Sequence, residues 1–149
     1  MGLVLLHAPA ALALESFAAN VPNRATATTS LGETKPCITC HDNPDGGAGC
    51  ETGGGTRPCL NPFGEQFRTS GYVWSMALAA MDADGDGFTN GQELQDPTGG
   101  WVFGAPTPGN EDYITRPGFA ADNPGQHDDD GDGYCWFGED LDMNGSCTG

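Results

Sequence analysis

Positive charge is the scarcest feature of this sequence of 149 residues. It contains 5 Lys and Arg residues against 21 Asp and Glu residues, so its net charge is −16 at pH 7. A chain this acidic is repelled by phosphate backbones and by anionic lipid, which argues against nucleic-acid and membrane-surface binding. Its natural partners are cations, because most of the acidic residues lie after position 81, many of them in short Gly-containing loops.

Apolar residues and long hydrophobic runs are also few. Only 37% of the residues are hydrophobic, and 24 Gly and 11 Pro interrupt them. A core this thin needs additional cross-links. We therefore predict a small α+β fold that is mostly coil, with short helices over 63–70 and 72–81. The few β-leaning stretches are 38–39, 100–103 and 113–115.

The longest apolar run, residues 2–14, is too short to cross a bilayer. Its Ala11-Leu12-Ala13 sequence has the small-x-small pattern of a signal-peptidase site. We interpret residues 1–31 as a signal peptide or, if the segment is retained, as an assembly arm that packs on a neighbouring subunit. The 6 Cys of the chain also indicate export. The predicted location is secreted, extracellular or at the cell surface, with the periplasm as an alternative.

A C-x-x-C-H motif occupies residues 37–41, and this motif is the attachment site of c-type haem. Cys37 and Cys40 would form thioether bonds to the porphyrin, and His41 would be the proximal iron ligand. The alternatives are a redox dithiol, a zinc knuckle and a structural disulfide. For the sixth iron ligand we favour His127 over the other candidates, which are His7, Met76, Met81 and Met143.

The four remaining cysteines allow three disulfide connectivities. Two local pairs, Cys50–Cys59 and Cys135–Cys147, are the simplest of these, because each closes a short flexible loop. We predict that disulfides, haem and calcium together stabilise the fold.

Residues 82–93, DADGDGFTNGQE, have the spacing of an EF-hand-type calcium loop. Acidic residues stand first, third and fifth, Gly stands sixth and Glu twelfth, which supplies the hard oxygen ligands that calcium prefers. The flanking sequences are compatible with helix. The predicted ligands are the side chains of Asp82, Asp84, Asp86, Asn90 and Glu93 and the carbonyl of Phe88.

Similar acidic spacing returns near the C-terminus, in residues 128–139 and in a fragment directly after them. Overlapping acidic loops held by cysteines resemble the type III repeats of thrombospondin, and the resemblance covers residues 128–147. It implies a segment built around calcium rather than around an apolar core. Together with the 82–93 loop, these loops predict two or three calcium ions for the whole chain. The predicted ligands are Asp128, Asp130, Asp132, the Tyr134 carbonyl, Glu139, Asp140, Asp142 and Asn144.

A longer pattern joins these features between residues 37 and 118. It contains His41-Asp42-Asn43-Pro44, then Asn61-Pro62-Phe63-Gly64, then the 82–93 loop with Asp96-Pro97, and finally ITRPG at 114–118. This pattern resembles the temptin-type domain, a small secreted module of molluscan pheromone complexes that also occurs in exported bacterial proteins. The resemblance implies secretion, a Cys-stabilised α+β fold and a calcium loop at 82–93. Cys37, Cys40 and the insert 45–59 depart from the animal pattern and favour a bacterial redox variant.

Three segments are therefore predicted: a signal or arm (1–31), a temptin-like haem and calcium domain (32–118) and a calcium-binding segment (119–149). The leading hypothesis is an exported, calcium-stabilised monohaem c-type cytochrome that transfers electrons within an extracellular polymer. The alternative is a non-redox structural or adhesive subunit of an extracellular filament or sheath. Expected partners are further copies of the chain and a redox protein or extracellular acceptor. An enzyme ranks last, because no catalytic set stands out.

Overall fold

The computed structural model describes residues 15–28, 30–46 and 59–127. The predicted signal segment, Cys50, Cys135, Cys147 and the acidic loops after residue 127 lie outside these residues. The described part contains helices α1 (Glu15–Ala18), α2 (Pro62–Thr69), α3 (Met76–Ala79) and α4 (Asn90–Glu93), strands β1 (Ala27–Thr28) and β2 (Thr34–Lys35), and 3₁₀ helices at Pro36–Thr39, Glu111–Tyr113 and Pro124–His127. The prediction of a small, mostly coiled fold with short helices and few strands is confirmed.

The strands of this fold are not the predicted ones. β1 and β2 pair antiparallel, with Ala27 opposite Lys35 and Thr28 opposite Thr34. The 38–39 stretch lies instead in a 3₁₀ helix that begins at Pro36, a residue suited to the first helical position. In the 100–103 stretch, the first two amide N–H groups donate to the buried Asp96 carboxylate and are not available to a strand. Local turn chemistry therefore overrides weak β-propensity.

Helix α2 confirms the helix predicted over 63–70 to within one residue at each end. Asn61 is its N-cap, and its Oδ1 accepts a hydrogen bond from the Gly64 amide at 2.8 Å. The Asn61 side-chain amide also donates to the carbonyls of Ile38 and Thr39. One asparagine therefore begins α2 and joins it to the 3₁₀ helix of the C-x-x-C segment.

Helix α3 is shorter than the helix predicted over 72–81. Tyr72 has a φ of 60° and Gly71 a φ of 73°, so the chain turns before the helix begins. Ser75 then caps α3 by accepting a hydrogen bond from the Leu78 amide. α3 ends shortly before the acidic loop 82–93, and α4 forms the last four residues of that loop.

The apolar core lies where α2, α3 and α4 meet, and it consists of Val21, Phe63, Phe67, Trp74, Leu78, Ala79 and Leu94. Asp96 is buried beside it, and its Oδ2 accepts hydrogen bonds from the Trp74 indole at 2.7 Å and from the Trp101 amide at 2.8 Å. This carboxylate connects the core to the loop after α4. Within the described ranges, the helices lack the length and apolar character needed to cross a bilayer.

Candidate metal centre

The acidic loop 82–93 closes on the carboxylate of its first residue. Asp82 Oδ1 accepts a hydrogen bond from the Gly85 amide at 2.7 Å, and its Oδ2 accepts one from the Gly87 amide at 3.0 Å. Gly87 has a φ of 100°, a backbone conformation that glycine adopts without the steric cost other residues incur. The glycine at the sixth loop position therefore allows the sharp turn that brings the acidic side chains together.

Three carboxylates converge inside this turn. One oxygen each from Asp82, Asp84 and Asp86 lies within 4.8 Å of the others. Asp84 Oδ1 accepts from the Asp86 amide at 3.3 Å, and Asp86 Oδ1 accepts from the Phe88 amide at 2.9 Å. Asp84 and Asp86 thus each use one carboxylate oxygen to hold the loop. The second oxygens, Asp84 Oδ2 and Asp86 Oδ2, are buried without a hydrogen-bond partner.

Helix α4 places a fourth carboxylate against the same loop. The helix begins with a capping box, in which the Thr89 hydroxyl accepts from the Gln92 amide and the Gln92 side chain accepts from the Thr89 amide. Its last residue, Glu93, has an exposed fraction of 0%, and its Oε2 has no hydrogen-bond partner. The capping box therefore sets the start of the helix that presents Glu93.

The pKa values of these carboxyl groups report how they affect one another. Burial first, and then the neighbouring Asp84 and Asp86 carboxylates, raise the pKa of Glu93 to about 9. Burial also raises the pKa of Asp84 and of Asp86, again with contributions from nearby Asp residues. Without a cation, the site therefore disfavours the ionised forms of Asp84, Asp86 and Glu93.

Sequence reasoning missed Thr115, which holds Glu93 in place. Its side chain is fully buried, and its hydroxyl donates to Glu93 Oε1 at 3.2 Å. The Thr115 amide also donates to the Glu93 carbonyl at 3.1 Å. Thr115 belongs to the ITRPG stretch of the longer pattern, but its spacing from Glu93 carries no signal that the two residues meet.

The remaining predicted ligands of this loop occupy different positions. The Asn90 side-chain amide donates to Gln66 Oε1 at 3.0 Å and to the Leu78 carbonyl at 2.8 Å, so Asn90 connects the loop to α2 and α3. Its Oδ1 is buried without a partner. The Phe88 amide donates a hydrogen bond to the Asp86 carboxylate. Binding of a cation by the Phe88 carbonyl stays a prediction.

Calcium fits this donor set. The buried, unpartnered oxygens are all hard carboxylate or amide oxygens, and several carboxylates within one small turn are what a divalent cation requires. When bound, calcium would supply positive charge and structural rigidity. Asp82, Asp84, Asp86 and Glu93 are the residues that would hold it.

The C-x-x-C-H segment lies in and after the 3₁₀ helix Pro36–Thr39. Cys37 and Cys40 are not disulfide-bonded, whereas Cys59 is. The Cys40 thiol packs against the apolar core, and burial raises its pKa to about 12. Both cysteines are partly exposed, and haem attachment at this segment stays a prediction.

Of the two predicted iron ligands, His41 and His127, the structure describes the side chain of His41. His41 is buried, its Nδ1 lies 3.0 Å from the Cys59 carbonyl, and burial lowers its pKa. His127 ends the 3₁₀ helix Pro124–His127, and its side chain lies outside the described part of the chain. Iron ligation by His41 and His127 therefore stays a prediction.

Residues 11–119 match the family described as Temptin C-terminal. The chain belongs to this family. Temptin of Aplysia californica is 49% identical over 65 residues, which cover 44% of this chain and 50% of temptin. The chain thus spans about half the length of this curated relative. No solved structure matches the chain.

Membership of the temptin family corrects the predicted function. The match runs from residue 11 to 119 and includes the C-x-x-C-H segment, so the cysteines there do not mark a separate class of protein. The prediction of an exported c-type cytochrome for electron transfer is wrong, and the alternative, a filament or sheath subunit, does not agree with this family either. A five-residue motif is compatible with several chemistries, and the family match extends over most of the chain.

Proposed function

We propose that this chain is a secreted, non-enzymatic signalling protein of the temptin type, in which calcium at the 82–93 loop holds the folded unit rigid. The observation that carries the calcium proposal is the set of buried oxygens without a hydrogen-bond partner: Asp84 Oδ2, Asp86 Oδ2 and Glu93 Oε2. Burying carboxylate oxygens unpaired is costly, and a bound divalent cation offsets that cost. The relationship to temptin supports the signalling role.

Calcium has a structural role in this proposal. The loop follows α3 and includes α4, and Thr115 ties Glu93 to a segment twenty-two residues further along the chain. A cation between the carboxylates therefore holds three segments in one arrangement, which keeps the shape of the exported protein constant for recognition by a partner. The predicted ligands between Asp128 and Asn144 are proposed to bind further calcium.

Calorimetric titration of the full chain with calcium, after removal of metal by EDTA, tests the calcium proposal. We expect the 82–93 site to bind in the range of about 10⁻⁴–10⁻³ M that is typical of extracellular calcium modules. Glu93→Gln should remove one ion from the measured stoichiometry. Glu65→Gln is the matched control, because Glu65 forms an exposed ion pair with Arg68.

The variant comparison separates this site from the C-terminal acidic loops. A triple variant, Asp128→Asn with Asp130→Asn and Asp132→Asn, should retain the ion that Glu93→Gln loses. If the Glu93→Gln protein binds as many ions as the unmodified chain, calcium does not occupy the 82–93 loop and the proposal fails.

Export is tested separately, by expressing the chain in its native host and assaying the culture fluid with an antibody. Recovery of the protein from the fluid with Cys59 oxidised supports secretion. Retention of the whole pool inside the cell, with all cysteines reduced, would overturn it.

A further inference from the structure

A cavity of about 460 Å³ lies between the segment after α1 and the loop that contains Trp101 and Phe103. This volume is within the range of about 300–1,000 Å³ typical of small-ligand clefts. None of its lining residues belongs to the 82–93 loop. Its apolar wall is formed by Val21, Pro36, Trp101, Phe103 and Ile114. The cavity is thus a second feature of the molecule, separate from the candidate metal centre.

Arg24 lines this cavity and differs from the other cations of the described residues. Lys35, Arg68 and Arg116 each form an ion pair with a nearby carboxylate. Arg24 forms no such pair with the described residues, although the chain has a net charge of −16. A guanidinium left unpaired beside apolar walls is suited to bind a carboxylate, because its planar group of donors matches the carboxylate oxygens.

The backbone next to Arg24 is held in an unusual conformation. Asn23 has a φ of 41°, a left-handed conformation that costs energy for a residue other than glycine. Its side chain is nearly fully buried, and its amide donates to the carbonyls of Leu94 and Pro108. These hydrogen bonds hold the backbone next to Arg24, an exposed residue at the wall of the cavity.

A carboxylate and an indole complete the site. Glu111 also lines the cavity, and its Oε1 accepts a hydrogen bond from the Thr107 hydroxyl at 2.8 Å. Arg24 and Glu111 do not form an ion pair with each other, so both charges are available to a ligand. The Trp101 indole donates to the Ala105 carbonyl at 3.3 Å, and its backbone amide donates to Asp96, so this aromatic wall is held in place.

We propose that the cavity binds a small zwitterion with an apolar body, namely a short hydrophobic peptide with free termini. Arg24 binds its C-terminal carboxylate and Glu111 its N-terminal ammonium group, while its side chains pack against Trp101 and Phe103. This site uses no residue of the calcium loop, so it stands independently of the proposed function.

Calorimetric titration of the calcium-loaded full chain with the tripeptide Leu-Leu-Phe tests the site. The free peptide should bind about 10-fold more tightly than its C-terminal amide and than its N-acetyl derivative, because each derivative loses one charge-assisted contact. Equal affinity for all three peptides, or no binding of any of them, would overturn the proposal. Tighter binding of free phenylalanine than of the tripeptide would reassign the site to single amino acids and reject the peptide.

Two variants identify which residue binds which terminus. Arg24→Gln should abolish the preference for the free carboxylate over the amide and keep the preference for the free amine. Glu111→Gln should do the reverse. Arg68→Gln, at an exposed and paired arginine, should change neither preference. Unchanged calcium binding shows that each variant is folded, and a folded Arg24→Gln protein with both preferences intact contradicts the assignment.

Discussion

Glu93 combines complete burial with an ionisable carboxyl group, and it is a proposed calcium ligand. It is fully buried, and the low polarity around it raises its pKa to about 9 in the metal-free protein. Replacement by Gln removes the ionisable group and keeps the shape. We expect Glu93→Gln to raise the melting temperature in EDTA at pH 8 and to lower it in saturating calcium, relative to the unmodified chain.

Differential scanning calorimetry in the two buffers measures this reversal of sign. The control is Glu65→Gln, whose exposed ion pair contributes little to stability. A Glu93→Gln protein that is less stable in both buffers would contradict the expected cost of burying this carboxyl group without calcium.

Thr115 has a more limited role at the same scale, because it orients Glu93. Its hydroxyl donates to Glu93 Oε1 at 3.2 Å. Groups that orient metal ligands typically affect metal affinity by about 10-fold or more. We expect Thr115→Val, which keeps the side-chain shape, to weaken calcium binding by about 10-fold in a calorimetric titration. Thr107→Val, at an exposed threonine outside the loop, should leave it unchanged; equal affinities in both variants would remove Thr115 from the site.

At the scale of elements, α2 packs very closely against the C-x-x-C segment. A Cβ on Gly64 would lie 2.1 Å from the Cys40 carbonyl oxygen, which is backbone and cannot rotate away. We expect Gly64→Ala to destabilise the protein by about 1–3 kcal/mol, as overpacking does. Urea denaturation measures this change.

Gly100→Ala provides the comparison for that measurement. The nearest atom to its Cβ is the Thr98 hydroxyl at 3.2 Å, a side-chain atom that is able to move. If Gly100→Ala destabilises the protein as much as Gly64→Ala does, the close approach of the Cys40 carbonyl is not the cause of the loss at residue 64.

At the scale of the whole molecule, we expect the excess of acidic groups to make stability depend on pH and on calcium together. Glu93 has a pKa near 4.5 when unfolded and about 9 when folded without metal, so the folded state binds more protons between these values. The stability of the calcium-free protein should therefore fall as the pH rises from 4.5 to 9. Asp84 and Asp86 act in the same direction, because burial raises the pKa of each.

Calcium should reverse this dependence, since it binds the ionised carboxylates and competes with protons. The calcium-induced increase in melting temperature should consequently be small at pH 5 and large at pH 8. Melting curves at several pH values with EDTA or with calcium measure the difference. A calcium effect that is equal at both pH values contradicts the raised pKa of Glu93.

The sequence predicted those features that depend on residues close together in the chain. The convergence of Asp82, Asp84 and Asp86 follows from their alternate spacing around Gly87, and α2 follows from Asn61 and Pro62 at its start. The C-x-x-C-H motif was also local, but five residues are compatible with a haem, a dithiol or a disulfide. Here local chemistry alone led to the wrong function.

Other features depend on contacts between distant segments, and only the tertiary structure decided them. Thr115 reaches Glu93 because a later loop folds over α4, and the Cys40 carbonyl lies close to Gly64 because α2 packs on the C-x-x-C segment. Arg24 and Glu111 line one cavity although they are far apart in the chain. Spacing in the sequence determines which groups a single turn brings together. Long-range packing determines which of those groups are buried without a hydrogen-bond partner.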